Sequence, residues 1–98
     1  MTGYSWPDDS ERLAQRARAA WPATVAALPT ATRVTGEVIA RQPFGVFIRI
    51  NGVPDAVGLA EITSMPPEAT LPDLGTAVTA EVIGHAAHNH QVRLALVG

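Results

Sequence analysis

The chain has 98 residues, of which 47% are hydrophobic and 16% charged, and its formal net charge is -2. These values predict one domain with a hydrophobic core and argue against strong, non-specific nucleic-acid binding, which needs a basic surplus. Because cysteine is absent, disulfides and thiolate metal sites are excluded. No segment approaches the roughly 20 apolar residues of a membrane span, and the first residues lack the pattern of a signal peptide. We therefore expect a cytoplasmic protein with no membrane partner.

Residues 7–28 are predicted to form a helix that Pro22 interrupts. Acidic residues occupy its first turn, where the helix dipole favours them. Apolar residues then recur at spacings of three and four, namely Leu13, Ala17, Ala20, Trp21, Val25 and Leu28. Because proline lacks an amide hydrogen, the helix should kink or split just after Trp21. The apolar stripe predicts that the helix packs against the rest of the domain, where it could cover one end.

From about residue 33 the hydrophobic period changes from 3.6 to 2, which is typical of β-strands. The predicted strands are residues 33–41, 46–50, 56–62, 76–84 and 91–97. Asn51-Gly52 is a hairpin signal, and residues 63–75, with their three prolines, are a predicted loop. This layout predicts a mainly β fold, a five-stranded antiparallel OB-fold barrel preceded by an N-terminal α-helix, because closure removes exposed strand edges. The domain boundaries that follow are a helical extension at 1–32 and a barrel at 33–98.

The alternation within the strands also predicts the core of the barrel. The inward positions are Val38, Val46, Ile48, Leu59, Val78, Val82, Val92, Leu94 and Leu96. If Val46 and Ile48 faced solvent instead, the register of the second strand would be shifted by one residue, and every outward side chain on it would change face.

The second strand contains both phenylalanines of the chain, in the segment Phe-Gly-Val-Phe-Ile at 44–48. Strict alternation would place Phe44 and Phe47 on opposite faces of the sheet. A glycine between them permits a bulge or kink that turns both rings outward. The alternative is that Phe44 packs into the mouth of the barrel and Phe47 against the N-terminal helix.

Five short motifs, in this order along residues 33–97, resemble the S-one type RNA-binding domain, the OB-fold module of small-subunit ribosomal protein S-one. They are Gly36-Glu37-Val38, Phe44-Gly45-Val46-Phe47-Ile48, Gly58-Leu59-Ala60-Glu61-Ile62-Thr63, Leu74-Gly75 and Val92-Arg93-Leu94-Ala95-Leu96. The resemblance implies that bases of single-stranded RNA stack on Phe44 and Phe47. It also implies that Arg41, Arg49 and Arg93 contact phosphates and that Glu61 and His90 belong to the same RNA-binding site.

Three positions depart from the pattern of this family. Glu61 stands where the family often has a histidine in the third strand, and His85 and Ala86 are the nearest counterparts of an aspartate at the end of the fourth. A basic residue usually opens the fifth strand, and here that place falls to His90 or Gln91. A carboxylate on a phosphate-facing surface repels RNA, so we expect weak binding.

The outer face that carries the phenylalanines and arginines is also consistent with a second hypothesis. In that hypothesis the domain is a protein-interaction module that binds a polypeptide such as a ribosomal or transcription protein. The surroundings of Glu61 discriminate between the two. If Glu61 pairs with Arg49 or Arg93, the arginines are engaged and the protein partner is favoured. If the arginines are unpaired and flank exposed phenylalanine rings, RNA is favoured.

His85, His88 and His90 form a second constellation, on the turn between the fourth and fifth strands. Three imidazoles at this spacing could hold Zn²⁺ or Ni²⁺. The alternative is a polar hairpin whose histidines lie in solvent or meet phosphates. We expect no metal, no cofactor and no catalytic residue, because the sequence carries no phosphate-binding glycine loop, no nucleophile elbow and no triad.

Overall fold

The computed structural model describes residues 4–97, which form two short helices and a closed five-stranded barrel. The helices are α1 (Ser10–Ala19) and α2 (Trp21–Ala27), and the strands are β1 (Arg33–Gln42), β2 (Gly45–Ile50), β3 (Val57–Glu61), β4 (Ala77–Ala86) and β5 (Gln91–Leu96). A single 3₁₀ turn at Ile62–Ser64 follows β3. The prediction of a mainly β fold with an OB-type barrel behind an N-terminal helical segment is confirmed.

The strands follow one another around the barrel in the order β1-β2-β3-β5-β4, and β4 pairs with β1 to close it. Every neighbouring pair is antiparallel except β3 and β5, which are parallel. The expectation of a wholly antiparallel barrel is therefore wrong in this one pairing. The reason is geometrical, since an odd number of strands cannot close into a ring in which every neighbour reverses direction.

The core of the barrel is formed largely by the predicted inward residues. Six of them are at most 1% exposed, namely Val38, Val46, Ile48, Val82, Val92 and Leu94. Val78 and Leu96 are partly buried and pack against this cluster. Because Val46 and Ile48 point inward, the register of β2 is the predicted one and its odd-numbered residues face outward.

The prediction that Leu59 of β3 points into the core is wrong. Leu59 is only half-buried and lies on the outer face, while Gly58 and Ala60 point inward. The small residues are needed there because a β-carbon on Gly58 would lie 2.9 Å from Cγ of Leu94. The side chain of Leu94 on β5 thus fills the space left by the missing side chain of Gly58 on β3.

The N-terminal helical segment splits close to the predicted place and packs against the barrel. Helix α1 ends at Ala19, and Pro22 lies in the first turn of α2, where its missing amide hydrogen costs nothing. Leu28, which caps α2, is 3% exposed and belongs to the barrel core, and Trp21 packs against that core. Neither helix in the described part of the chain is long and apolar enough to cross a membrane.

Candidate nucleic-acid interface

The tight turn between β1 and β2 sets the position of Phe44. Gln42 pairs with Gly45, so Pro43 and Phe44 form a two-residue turn. Gly45 has a φ of 156°, and a β-carbon there would collide with the carbonyl oxygen of Ala60 and lie 2.9 Å from Cα of Glu61. Only glycine lets β2 run this close to β3. Phe44 is carried to the outer surface, where 46% of it is exposed.

The two phenylalanines lie side by side on the outer face of the barrel. Their ring centroids are 5.9 Å apart, and the planes meet edge to face at 88°. Phe44 lies in the turn before β2 rather than in the strand, β2 pairs regularly from Gly45 onward, and the exposed Phe44 ring does not enter the mouth of the barrel. Phe47 is nevertheless only 7% exposed. The expectation of an open Phe47 ring is wrong, because Trp6 covers it with a centroid distance of 4.9 Å.

Trp6 belongs to a segment that we call the N-terminal arm, residues 4–7, which lies antiparallel beside the end of β1. Ser5 exchanges two backbone hydrogen bonds with Arg41, at 2.8 and 3.0 Å. The guanidinium of Arg41 lies 5.4 Å from the centroid of the Tyr4 ring, within the range of a cation–π contact. The arm is thus anchored by its backbone and by both of its aromatic rings.

Sequence reasoning missed the arm, although one signal was present. The chain has only five aromatic residues, and two of them, Tyr4 and Trp6, precede the first helix in a segment with no apolar periodicity. Large rings outside any amphipathic pattern indicate a contact that the local period does not explain. Here that contact is with Arg41 and Phe47.

Two of the predicted phosphate-binding arginines face carboxylates. Arg93 lies 3.6 Å from Glu61 and Arg49 lies 4.0 Å from Glu37, its direct neighbour in the β1–β2 register. The side chains of both pairs are 40–55% exposed. Exposed pairs of this kind contribute at most about 1 kcal/mol, so a phosphate can replace either carboxylate. The pairing of Glu61 with Arg93 is the condition that favours the protein partner. The condition for RNA is met only in the exposure of Phe44, since both arginines face carboxylates and Phe47 is buried.

Two of the three histidines contact α2, and the third is exposed. Nε2 of His85 lies 2.6 Å from the carbonyl oxygen of Leu28, and the His85 and His90 rings meet Trp21 edge-on at 6.2 and 5.9 Å. They therefore tie α2 to the turn between β4 and β5, while His88 is exposed. Within residues 4–97 no three His, Asp or Glu side chains are grouped so as to hold a metal ion.

His90, the last of the predicted site residues, also lines a cleft of about 120 Å³ between α1 and the outer face of the barrel. Leu13 and Ala17 of α1 form one wall, and Phe47 and Val57 form part of the other. The cleft is mostly apolar. His90 is accordingly half-buried beside the helix rather than presented with the arginines.

No protein-family model matches the chain, and no curated protein matches it in sequence. Solved structures do resemble it. Mycoplasma genitalium RNase R, in complex with ribose-methylated single-stranded RNA, superposes with a TM-score of 0.69 and 17% identity, over 91% of this chain and 16% of that one.

Two further structures resemble the chain over a shorter stretch. A multidomain protein with nucleic acid binding domains from Streptococcus pneumoniae TIGR4 gives a TM-score of 0.62 and 19% identity, over 70% of this chain and 23% of that one. GSP13 from Bacillus subtilis gives 0.60 and 18%, over 70% and 55%. The chain therefore spans less than two-thirds of the length of each of these three proteins. At such identities the likeness concerns the fold, which is the OB-type barrel that the sequence predicts.

Proposed function

We propose that this domain is a nucleic-acid-binding module that holds single-stranded RNA weakly on the outer face of β2 and its neighbours. The observation that carries the proposal is the outward aromatic cluster, in which the exposed Phe44 packs edge to face on Phe47, on the same strand face as Arg49. An exposed ring that can stack on a base contributes about 1–3 kcal/mol per base with little sequence preference. The module would perform no chemistry of its own.

The similar folds support the same assignment. One of them was solved in complex with single-stranded RNA and another is described as carrying nucleic acid binding domains. In an OB barrel the faces of the middle strands and the loops beside them are the surface that binds oligonucleotides. The aromatic cluster of this chain lies on that surface, on β2 next to β3.

The charges predict that the affinity is low. The net charge is -2, and Arg49 and Arg93 each share a carboxylate within 4.0 Å. A phosphate that binds either arginine is therefore repelled by Glu37 or Glu61. Few counterions are released in such a complex, and counterion release is the main source of salt-sensitive affinity.

A second candidate function is a protein-interaction module that uses the same face without RNA, with a ribosomal or transcription protein as the partner. The ion pair between Glu61 and Arg93, at 3.6 Å, favours it, because a polypeptide can satisfy both charges while a phosphate satisfies only one. The two functions make different demands on Phe44, which must meet a base in the first and an apolar side chain in the second.

Titration of the ¹⁵N-labelled domain with short oligouridine, followed by NMR at low and at moderate salt, tests the assignment. We expect shifted resonances at Phe44, Arg49 and Arg93, and Phe44→Ala should weaken binding by about 1–3 kcal/mol. Val97→Ala, which truncates a 39% exposed apolar residue just after β5, is the matched control and should bind like the unaltered domain. If RNA at high micromolar concentration shifts none of these resonances, the RNA assignment fails and the protein partner is the one to pursue.

A further inference from the structure

The N-terminal arm puts two more aromatic rings beside the candidate interface. Tyr4 is 60% exposed and Trp6 is 53% exposed, compared with 46% for Phe44. In the described part of the chain these three are the most exposed large hydrophobic residues apart from Leu74. Trp6 and Phe44 lie close together because both contact Phe47, and Tyr4 lies over Arg41 at the end of β1. Neighbouring exposed rings on a soluble domain indicate a binding surface.

Phe47 itself has little surface to offer to a base. It points outward from β2 but is only 7% exposed, since Trp6 lies over it and Phe44 meets it from the side. A base could stack on Phe47 only after the arm had moved away. Moving the arm would break the two backbone hydrogen bonds between Ser5 and Arg41 and separate Tyr4 from the Arg41 guanidinium.

We propose that Trp6 replaces Phe47 as a base-stacking platform, so that the RNA-binding surface consists of Trp6 and Phe44 on either side of a supporting Phe47, with Tyr4 at its margin. This inference rests on the proposed function. It assigns to the arm a role that none of the five barrel motifs covers, since all of them lie within residues 33–97.

The contacts of the arm hold Trp6 in place before RNA arrives. Ser5 is fixed to β1 by backbone hydrogen bonds of 2.8 and 3.0 Å, which restrict the residues on either side of it. The Trp6 ring then rests on Phe47 with its plane tilted by 45°. A platform that is already positioned loses less conformational entropy when a base stacks on it. Phe47 is the residue that positions this platform.

The opposite role for the arm is a strap that shields Phe47 and must leave before RNA binds. The two roles predict opposite results for the same change. Removing the Trp6 ring weakens binding if the ring is a platform and strengthens it if the ring is a shield. Trp6→Leu is the suitable variant, because leucine can still cover Phe47 but has no aromatic face.

The test compares the affinity for a labelled oligouridine of the unaltered domain, Trp6→Leu and Trp6→Phe, with a thermal melt of each protein. We expect Trp6→Leu to bind about 5- to 150-fold more weakly, the loss of one stacked base, and Trp6→Phe to recover most of the affinity. Val97→Ala is the control for an exposed apolar residue, since Val97 is 39% exposed and lies beyond the end of β5.

A second measurement leaves Trp6 intact. The chain has two tryptophans, so Trp21→Phe makes Trp6 the sole source of tryptophan emission. Stacking of a base should quench this emission, whereas release of the arm into water should shift it to longer wavelength without quenching.

The outcomes separate the two proposals. If the unaltered domain binds no RNA, the proposed function fails and the inference falls with it. If the domain binds RNA and Trp6→Leu binds equally well, or the Trp6 emission is unchanged, only the inference is overturned. If Trp6→Leu binds more tightly and the emission shifts to longer wavelength, the arm is a strap. Weaker binding of Trp6→Leu together with quenching supports the platform.

Discussion

Gly45 is the residue on which the outward aromatic cluster depends. Its φ of 156° is unfavourable for other residues, and its α-carbon lies so close to β3 that a β-carbon would collide with the Ala60 carbonyl oxygen. The obstacle is backbone, which cannot rotate away as a side chain can. The turn before Gly45 and the outward direction of Phe44 therefore share one cause.

We expect Gly45→Ala to lower the free energy of unfolding by at least about 2 kcal/mol, because strain in φ and a steric overlap add together. For a domain of this size the melting temperature should fall by roughly 4–8 °C per kcal/mol. Gly52→Ala is the matched control, since Gly52 has a φ of 83° but no atom within 4 Å of the new β-carbon. Thermal melts followed by circular dichroism make the comparison, and equal losses in the two variants would show that the close approach to β3 is unimportant.

For single residues, the alternation of apolar and polar positions predicts which side chains of β2 point inward, but it does not predict which inward positions must be small. Val46 and Ile48 point inward as their period demands. Leu59 also alternates with its neighbours, but it lies on the outer face, because the inward residues of β3 are the small Gly58 and Ala60. Their smallness makes room for a side chain on β5, a strand more than 30 residues further along the chain, and no local pattern carries that information.

Among the elements, the two helices have different relations to the barrel. Helix α2 is capped at its C-terminus by Leu28, a core residue that is 3% exposed, and Nε2 of His85 donates a hydrogen bond to the Leu28 carbonyl oxygen. Helix α1 lies over the outer face, where Ala17 is buried and a cleft of about 120 Å³ remains beneath the helix. The first helix is thus the looser of the two.

Two truncations should therefore differ sharply in stability. Deleting residues 1–28 removes Leu28 and Trp21 from the core cluster, and loss of a buried leucine alone costs about 2–5 kcal/mol. Deleting residues 1–9 removes the arm and the other residues before α1 but no member of the core cluster, so it should lower the melting temperature by less. Calorimetry of both proteins measures the difference. An unchanged melting temperature after removal of residues 1–28 would show that the helices are an independent appendage.

The positions of the helices and strands along the chain were easier to predict than which elements pair with one another. The change of period at residue 33 and the break at Pro22 mark strands and helices locally. The parallel pairing of β3 with β5 is set by closure of the whole barrel. The arm is a further case, since the single bridge between Ser5 and Arg41 involves too few residues to leave a period in the sequence.

For the whole molecule, the arrangement of charge matters more than its total. All seven basic residues are arginines, and the net charge is -2. On the candidate interface Glu37 and Glu61 lie beside Arg49 and Arg93. The face is therefore nearly neutral rather than basic. Binding there should depend on ring stacking first and on phosphate contacts second.

Removing one carboxylate from this face should change both the affinity for RNA and its dependence on salt. Glu61→Gln keeps the size of the side chain but releases Arg93, which lies 3.6 Å from the Glu61 carboxylate. We expect tighter binding to oligouridine at low salt and a steeper plot of log affinity against log salt, by about 0.7 for one additional phosphate contact on a single strand. Arg93→Ala should have the opposite effect on both quantities.

The control for this prediction is Glu68→Gln, which makes the same change in net charge on the exposed loop between β3 and β4. If the two glutamine variants bind RNA equally well at every salt concentration, the gain reflects total charge alone, and the pairing of Glu61 with Arg93 has no part in it. If only Glu61→Gln steepens the salt dependence, Arg93 has exchanged a carboxylate for a phosphate. In that case the ion pair between Glu61 and Arg93 is what lowers the affinity of the unaltered domain for RNA.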